Sequence, residues 1–480
     1  MKKNNPYLHY LVAFAIGLSI AFFVKPTNGL TAVGVNVLAV TVATMYMWLT
    51  CNTSWTSLLF MAMLVMTGAM TANEVWAGSM GHFSVITMIV FMILNYCLLQ
   101  TGVINLVCTW FITRKIVRNR PYVFLCMFFA SMMFLGLFLD NLSLAVIYVG
   151  IAEVLCSKLK IEKGEAFYSC MFMGIMWVDD VISIASPIAH APCLILMGYM
   201  SNTLGINVSY GTWLALGVPF AVLMMVVIMI SVRFWHPDTS KFVNYDVDAE
   251  KANMPKLDTK GKISAGVFIL AVLMMLLPEI CSTLGILTGF ATYWKTCGVV
   301  VVGILAVSIL CIIQIDGKPV LDMPSALKSL PMGAIIFAGV VCVMSTPINS
   351  ELTGIGVWLP NILKPLVAGL NPYLIMIVLC ICALIMTNFL SNVVTMALFF
   401  NLGVALLGGT GVNMGMFAML IGIMSAIACL TPSACAPMPL VFGPGHVTMK
   451  NTIRANLFFV ILTLIATLCY IIPIAPVIIH

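Results

Sequence analysis

Charge is what this sequence has least of. Only 8% of its 480 residues are Asp, Glu, Lys or Arg, against 62% hydrophobic. A soluble domain carries about 25% charged residues, and a water-facing surface cannot be built from so few. The surplus apolar residues must face lipid. Catalytic and phosphate-binding motifs are missing too. There is no HExxH, no GxSxG nucleophile elbow and no GxxxxGK[ST] loop. The chain therefore reads as no enzyme, and any transport it performs must draw on an ion gradient or on exchange. Sixteen cysteines are present without one CxxC pair. They lie singly in apolar runs, among them Cys97, Cys108, Cys170 and Cys311, which argues against a disulfide framework and against zinc. The formal charge of +6 comes from basic clusters between apolar runs. That is the pattern of membrane orientation, not of nucleic-acid binding.

There is apolar sequence enough for roughly ten spans of about 20 residues. The first run follows Lys2 and Lys3 in signal-peptide order, but no small-residue cleavage site comes after it. Residues 1–30 are read as a retained span. Two long runs, 121–157 and 371–407, carry polar breaks in their middles (LDNLS and LSNVV). Each reads as a re-entrant hairpin that enters and leaves on one side. The remaining runs give about eleven crossings. With the N-terminus cytoplasmic and the C-terminus outside, Lys25, Lys295 and Lys364 fall outside and the other basic residues fall inside. The polar stretch 236–262 reads as a cytoplasmic linker, too short to bury a core of its own. The fold class expected is an all-α, multi-pass protein of the plasma (inner) membrane.

The two sides of that linker share motifs. Phe138-Leu139-Asp140-Asn141 matches Phe389-Leu390-Ser391-Asn392. Gly174-Ile175-Met176 matches Gly422-Ile423-Met424. Ser186-Pro187-Ile188-Ala189-His190-Ala191-Pro192 matches Thr431-Pro432-Ser433-Ala434-Cys435-Ala436-Pro437. The order is the same on both sides and the spacing nearly so, which points to duplication. Residues 31–235 then form a first repeat, with a broken helix over 166–204. Residues 263–480 form a second, with a broken helix over 415–447. Five crossings in each make the second copy inverted, the plan of many secondary transporters.

Backbone inside hydrocarbon must be hydrogen-bonded. Pro187, Pro192, Pro432 and Pro437 free backbone groups that are tolerable only where they line a polar cavity. Freed carbonyls suit a hard cation, and half-helix N-termini suit an anion. The tips add Asp140, Asn141 and Ser143 in the first half, and Ser391, Asn392 and Thr395 in the second. An Asn can ligate a cation through its carbonyl while its amide donates to an anion. Asp140 is a candidate cation or proton ligand. Asp179 and Asp180 are candidates for a proton relay or a coupling site, and His190 for substrate contact or titration.

The tips FLDNLS and TNFLSNVVT, with the segment ACLTPSACAPMPLVFGPGHVTMKN, resemble those of the divalent anion/sodium symporter family of the ion transporter superfamily. The resemblance implies hairpins and broken helices forming a transport domain that moves, elevator-like, against a dimerised scaffold. It implies Na+ as the coupling ion and no other cofactor. Cation ligands carry over onto Asn141 with the Ser183–Pro187 loop, and onto Thr387, Ser391 and Asn392 with the loop around Cys429. A small anion, a di- or tricarboxylate or sulfate, would meet Asn141, Asn392, Thr431 and Pro432, with Ser186, Pro187, His190 and Thr395 beside it. The chain departs from the family pattern at Asp140, where that pattern has Ser, and at Leu142 and Val393, where it has Thr. FLDN is closer to the sodium/proton antiporter and arsenite-permease branches. A cation/proton antiporter or proton-coupled permease using Asp140, Asp179 and Asp180 stays open as the alternative.

Overall fold

The computed structural model describes residues 6–479 apart from 28, 52, 188–190, 255, 391, 433 and 436. The chain is helical almost throughout. The only strands among the described residues, Gln314–Ile315 and Lys318–Pro319, pair antiparallel in a two-strand ribbon. Six helices are long and apolar enough to cross a membrane, or eight if each of two bent pairs counts once. The expectation of about eleven crossings also counts shorter apolar helices, such as Pro6–Phe23 and Ala32–Thr50.

Tyr210–Trp235 shows why lipid is the solvent. Trp213, Leu216, Phe220, Met224 and Val227 turn inward. Val218, Val222, Val226 and Ile230, four residues apart, form an exposed stripe. A helix apolar on its inner and outer faces has no stable place in water.

The first apolar run over the hairpin resolves into Pro121–Gly136 and Asn141–Lys158, and the second into Pro372–Met386 and Asn392–Leu407. Proline opens each inbound arm at the first turn, where a missing N–H costs nothing. Within the first pair, the Ser131 and Tyr148 hydroxyls meet at 2.7 Å and clasp the arms. The two broken-helix runs contain the most enclosed helices. Every residue of Phe167–Ala185 and of Gly415–Ala426 is buried. Each hairpin packs on its neighbour through a phenylalanine set against a glycine. A Cβ on Gly174 would sit 2.1 Å from the Phe129 ring, and one on Gly403 1.9 Å from the Phe417 ring.

Two bends were not anticipated. Val103–Ile112 follows Val85–Leu99 at 68°, turning at Gly102 with φ 72°, and Met332–Ile348 follows Met323–Ser329 at 67°. Gln100-Thr101-Gly102 and Leu330-Pro331 stand at the bends, and such breakers mark a turn without giving its angle.

The polar stretch between the halves is docked, not loose. It forms the helix Val247–Ala252. Phe242 and Tyr245, both buried, stack on each other and pack against Phe124 of the first hairpin. The Tyr245 hydroxyl donates to the Ile112 carbonyl at 3.1 Å. Ion pairs join Arg118 to Asp248, Lys158 to Glu250 and Lys241 to Glu165. The Lys241 hydrogen bond, then the Glu162 N–H, hold the Glu165 carboxyl below its ordinary value. That contribution is present above the ordinary glutamate range and fades as pH falls through the lowered value. These pairs are wholly or partly exposed to solvent and contribute little, so the aromatic contacts dominate. Phe242→Ala is expected to cost about 3 kcal/mol of stability and to expose the linker to trypsin. Lys241→Met should change melting by far less. Thermal melting and limited proteolysis in detergent check both.

Candidate functional site

The first tip is Leu137–Asp140. The Asp140 carboxylate caps the outgoing helix, its Oδ2 accepting the Ser143 N–H at 3.0 Å. One of its oxygens is thus engaged locally, as an N-cap Asp commonly is. The Ser186 hydroxyl donates to the Leu137 carbonyl at 2.5 Å, tying the end of the first broken helix's leading segment to the tip. Asn141 Nδ2 donates to Asp179 Oδ2 at 3.1 Å. Asp179 and Asp180 are both buried. Asp180 Oδ2 accepts the Ala428 N–H at 2.9 Å, and Cys435 Sγ lies 3.9 Å from Oδ1. Asp180 therefore reaches from the first half into the loop of the second.

Ser183 is buried, its hydroxyl donating to the Asp180 carbonyl one turn back at 2.7 Å. Its oxygen keeps lone pairs for a cation. Pro187 is buried in the break after Ala185. His190 and Ser391, both expected at the site, lie outside the described residues.

The second tip mirrors the first in outline. The Thr431 hydroxyl donates to the Asn388 carbonyl at 2.5 Å. Asn388 and Leu137 are matched positions, each preceding the Phe-Leu of its tip motif. Ser186 and Thr431 are likewise matched in the proline motifs. The Thr387 hydroxyl faces the Ser425 carbonyl and lies 3.0 Å from Asn392 Oδ1. Asn392 Nδ2 donates to the Ala426 carbonyl at 3.5 Å. Met414–Ala426 ends there, so the carbonyls at 425–427 have lost their helical partners. Thr387, Asn392 and these carbonyls form an oxygen-rich group with the donor chemistry of a hard-cation site. Pro432 is exposed and Thr431 half-buried. Thr395 is buried, with an unpartnered hydroxyl. The Cys429 carbonyl accepts from Asn456 Nδ2 at 2.7 Å.

Two residues escaped the sequence reading. Fully buried Asn388 donates to the Leu384 carbonyl at 2.7 Å and accepts the Leu430 N–H at 2.7 Å, stitching tip to loop. A buried Asn beside Thr387 was its only sequence signal. Asn456, buried in Met449–Ile478, accepts from Trp177 Nε1 at 3.1 Å and binds the Cys429 carbonyl. It joins the last helix, the first broken helix and the second loop. A polar side chain within a span was the available signal.

Polar side chains set against unwound backbone, deep inside a bundle whose outer face is apolar, have the build of a membrane transporter. The chain belongs to the family described as "Sodium:sulfate symporter transmembrane region", which matches residues 3–477. It is similar to the sodium-dependent dicarboxylate transporter SdcS of Staphylococcus saprophyticus, 22% identical over 69% of this chain and 65% of that protein. It is similar to SdcS of Staphylococcus aureus strain USA300, 21% identical over 66% of this chain and 62% of that protein. An uncharacterized transporter of Haemophilus influenzae is 21% identical over 74% of each chain. The chain thus matches less than two thirds of the length of the two staphylococcal relatives.

Asn388→Leu leaves the half-buried Leu430 N–H without an acceptor. It is expected to cost about 1–3 kcal/mol. Asn388→Asp keeps the acceptor but buries a carboxylate against the Leu384 carbonyl, and should cost at least as much, which thermal melting of the two purified variants checks.

Proposed function

We propose that this chain is a secondary active transporter that moves a small anion, a di- or tricarboxylate or sulfate, together with Na+. The observation that carries the reading is the pair of matched latches, Ser186 to the Leu137 carbonyl and Thr431 to the Asn388 carbonyl. Equivalent motif positions make the same contact twice. That supports two repeats, 31–235 and 263–480, each offering one hairpin tip and one broken-helix loop. Because each would hold an odd number of crossings, the copies are inverted, with the N-terminus cytoplasmic and the C-terminus outside the plasma membrane. The name of the staphylococcal relatives supports Na+ and a dicarboxylate as the class to test first.

In this reading one Na+ sits at each tip. Thr387, Ser391, Asn392 and the freed carbonyls near Cys429 hold the second; Asn141 and the Ser183–Pro187 segment serve the first. The anion lies between the tips. It meets the Asn141 and Asn392 amides, Thr431 and Pro432, with Ser186, Pro187, His190 and Thr395 at its edge. Na+ binding comes first, because the cations order the tips and offset the anion's charge. The hairpins and broken helices then move together past a scaffold held by a second copy of the chain. The short helices Val103–Ile112 and Ile355–Leu363 precede the hairpins and suit the role of connecting arms.

The test is uptake of labelled succinate, citrate and sulfate into liposomes carrying the purified protein. An inward Na+ gradient should drive at least one of them, and an equal choline gradient none. Asn392→Ala should lower uptake about 10- to 100-fold, the scale of losing hydrogen bonds to charged groups. Na+-triggered proton release without any organic anion would overturn the symport reading in favour of antiport.

A further inference from the structure

The two halves build their cation-facing surfaces differently. The Gly174-Ile175-Met176 and Gly422-Ile423-Met424 match sets Asp179 and Asp180 opposite Ile427 and Ala428. In the second half the helix stops at Ala426, and Asn392 reaches a freed backbone carbonyl. In the first half the helix runs on to Ala185, so backbone carbonyls around Asp179 stay within a wound helix. Asn141, which matches Asn392, reaches the Asp179 carboxylate instead.

Asp179 Oδ1 is buried and has no hydrogen-bond partner. A carboxylate oxygen of Asp179, one of Asp180 and the Cys435 sulfur lie within 4.8 Å of one another. No ion pair among the described residues involves either carboxylate. Asp180 receives the Ala428 N–H and has the Cys435 thiol beside it, so its charge is met by donors. Asp179 receives one amide and keeps one bare oxygen. One negative charge is therefore left to be met inside the apolar interior, where an unpaired charge is costly.

We propose that Asp179, through its bare carboxylate oxygen and supported by Asp180, is a direct ligand of the first Na+, replacing the unwound carbonyls that serve the second. This deepens the symport reading and rests on it. The donors are hard oxygens and the uncompensated charge is single, which suits a monovalent cation. Cys435 stays a thiol that donates to Asp180. The two cation sites are then unequal. The first carries a fixed charge and binds Na+ more tightly, and the second is neutral and binds it more weakly. Asp140, engaged as a cap, is the lesser contributor of charge at the first tip.

The experiment is Na+ titration of the purified chain without any anion, at constant ionic strength with choline, read by 22Na+ binding and by melting temperature. Wild type should bind in two phases. Asp179→Asn preserves shape and can still accept from Asn141. It is expected to weaken the tight phase at least tenfold and leave the weak phase in place. Thr387→Val should do the reverse. Asp180→Asn serves as a second variant, with melting at saturating Na+ reporting that each folds. Unchanged tight binding in Asp179→Asn overturns the assignment and means that His190 or a proton meets the charge. Two-phase binding without anion uptake by wild type would sink the symport reading and leave this assignment standing.

Discussion

Backbone that leaves a helix inside hydrocarbon must find a partner, and that constraint organises this molecule. Each break is answered by a hairpin tip. Ser186 and Thr431 anchor their loops to tip carbonyls. Asn388 then satisfies both an orphan amide at Leu430 and a carbonyl at Leu384. Neither tip nor loop is a stable element by itself; each is the other's hydrogen-bonding environment.

The halves are also coupled to each other. Asp180 crosses to the Ala428 N–H, and Trp177 crosses through Asn456 to the Cys429 carbonyl. His446 adds a third crossing, bonding the Tyr168 hydroxyl at 2.8 Å and stacking on Phe172. All of these contacts join the buried helix Ala166–Ala185 to the loop and the last helix of the second half, or to the segment between them. A body stitched this way moves as a unit more readily than it deforms.

Much of this was legible beforehand. Eight per cent charge could only mean lipid exposure. Asp140-Asn141 and Ser391-Asn392 interrupt long apolar runs, so the turns between helix arms were visible as polar gaps. The Ser-Pro and Thr-Pro motifs marked the broken segments. Other features left less trace. Asn388 has Leu137 as its matched residue, so the repeat gave it no weight. The bends after Leu99 and Ser329 fall at Gln100-Thr101-Gly102 and Leu330-Pro331, breaker residues that mark a turn but not its angle. Phe242 and Tyr245 sit in a polar stretch, and only the folded chain supplies Phe124 as their partner. Asp179 and Asp180 stood out as intramembrane carboxylates, but their direction depends on the helix staying wound to Ala185.

The central claim is that tips and loops together bind the coupling cation. Hydrogen exchange read by mass spectrometry, in NaCl against choline chloride, addresses it most directly. The account expects Na+ to slow exchange jointly at 137–143 and 179–187, and at 387–395 and 425–432, with little change in Tyr210–Trp235. Protection spread evenly over the chain, or confined to segments away from the tips, would contradict it.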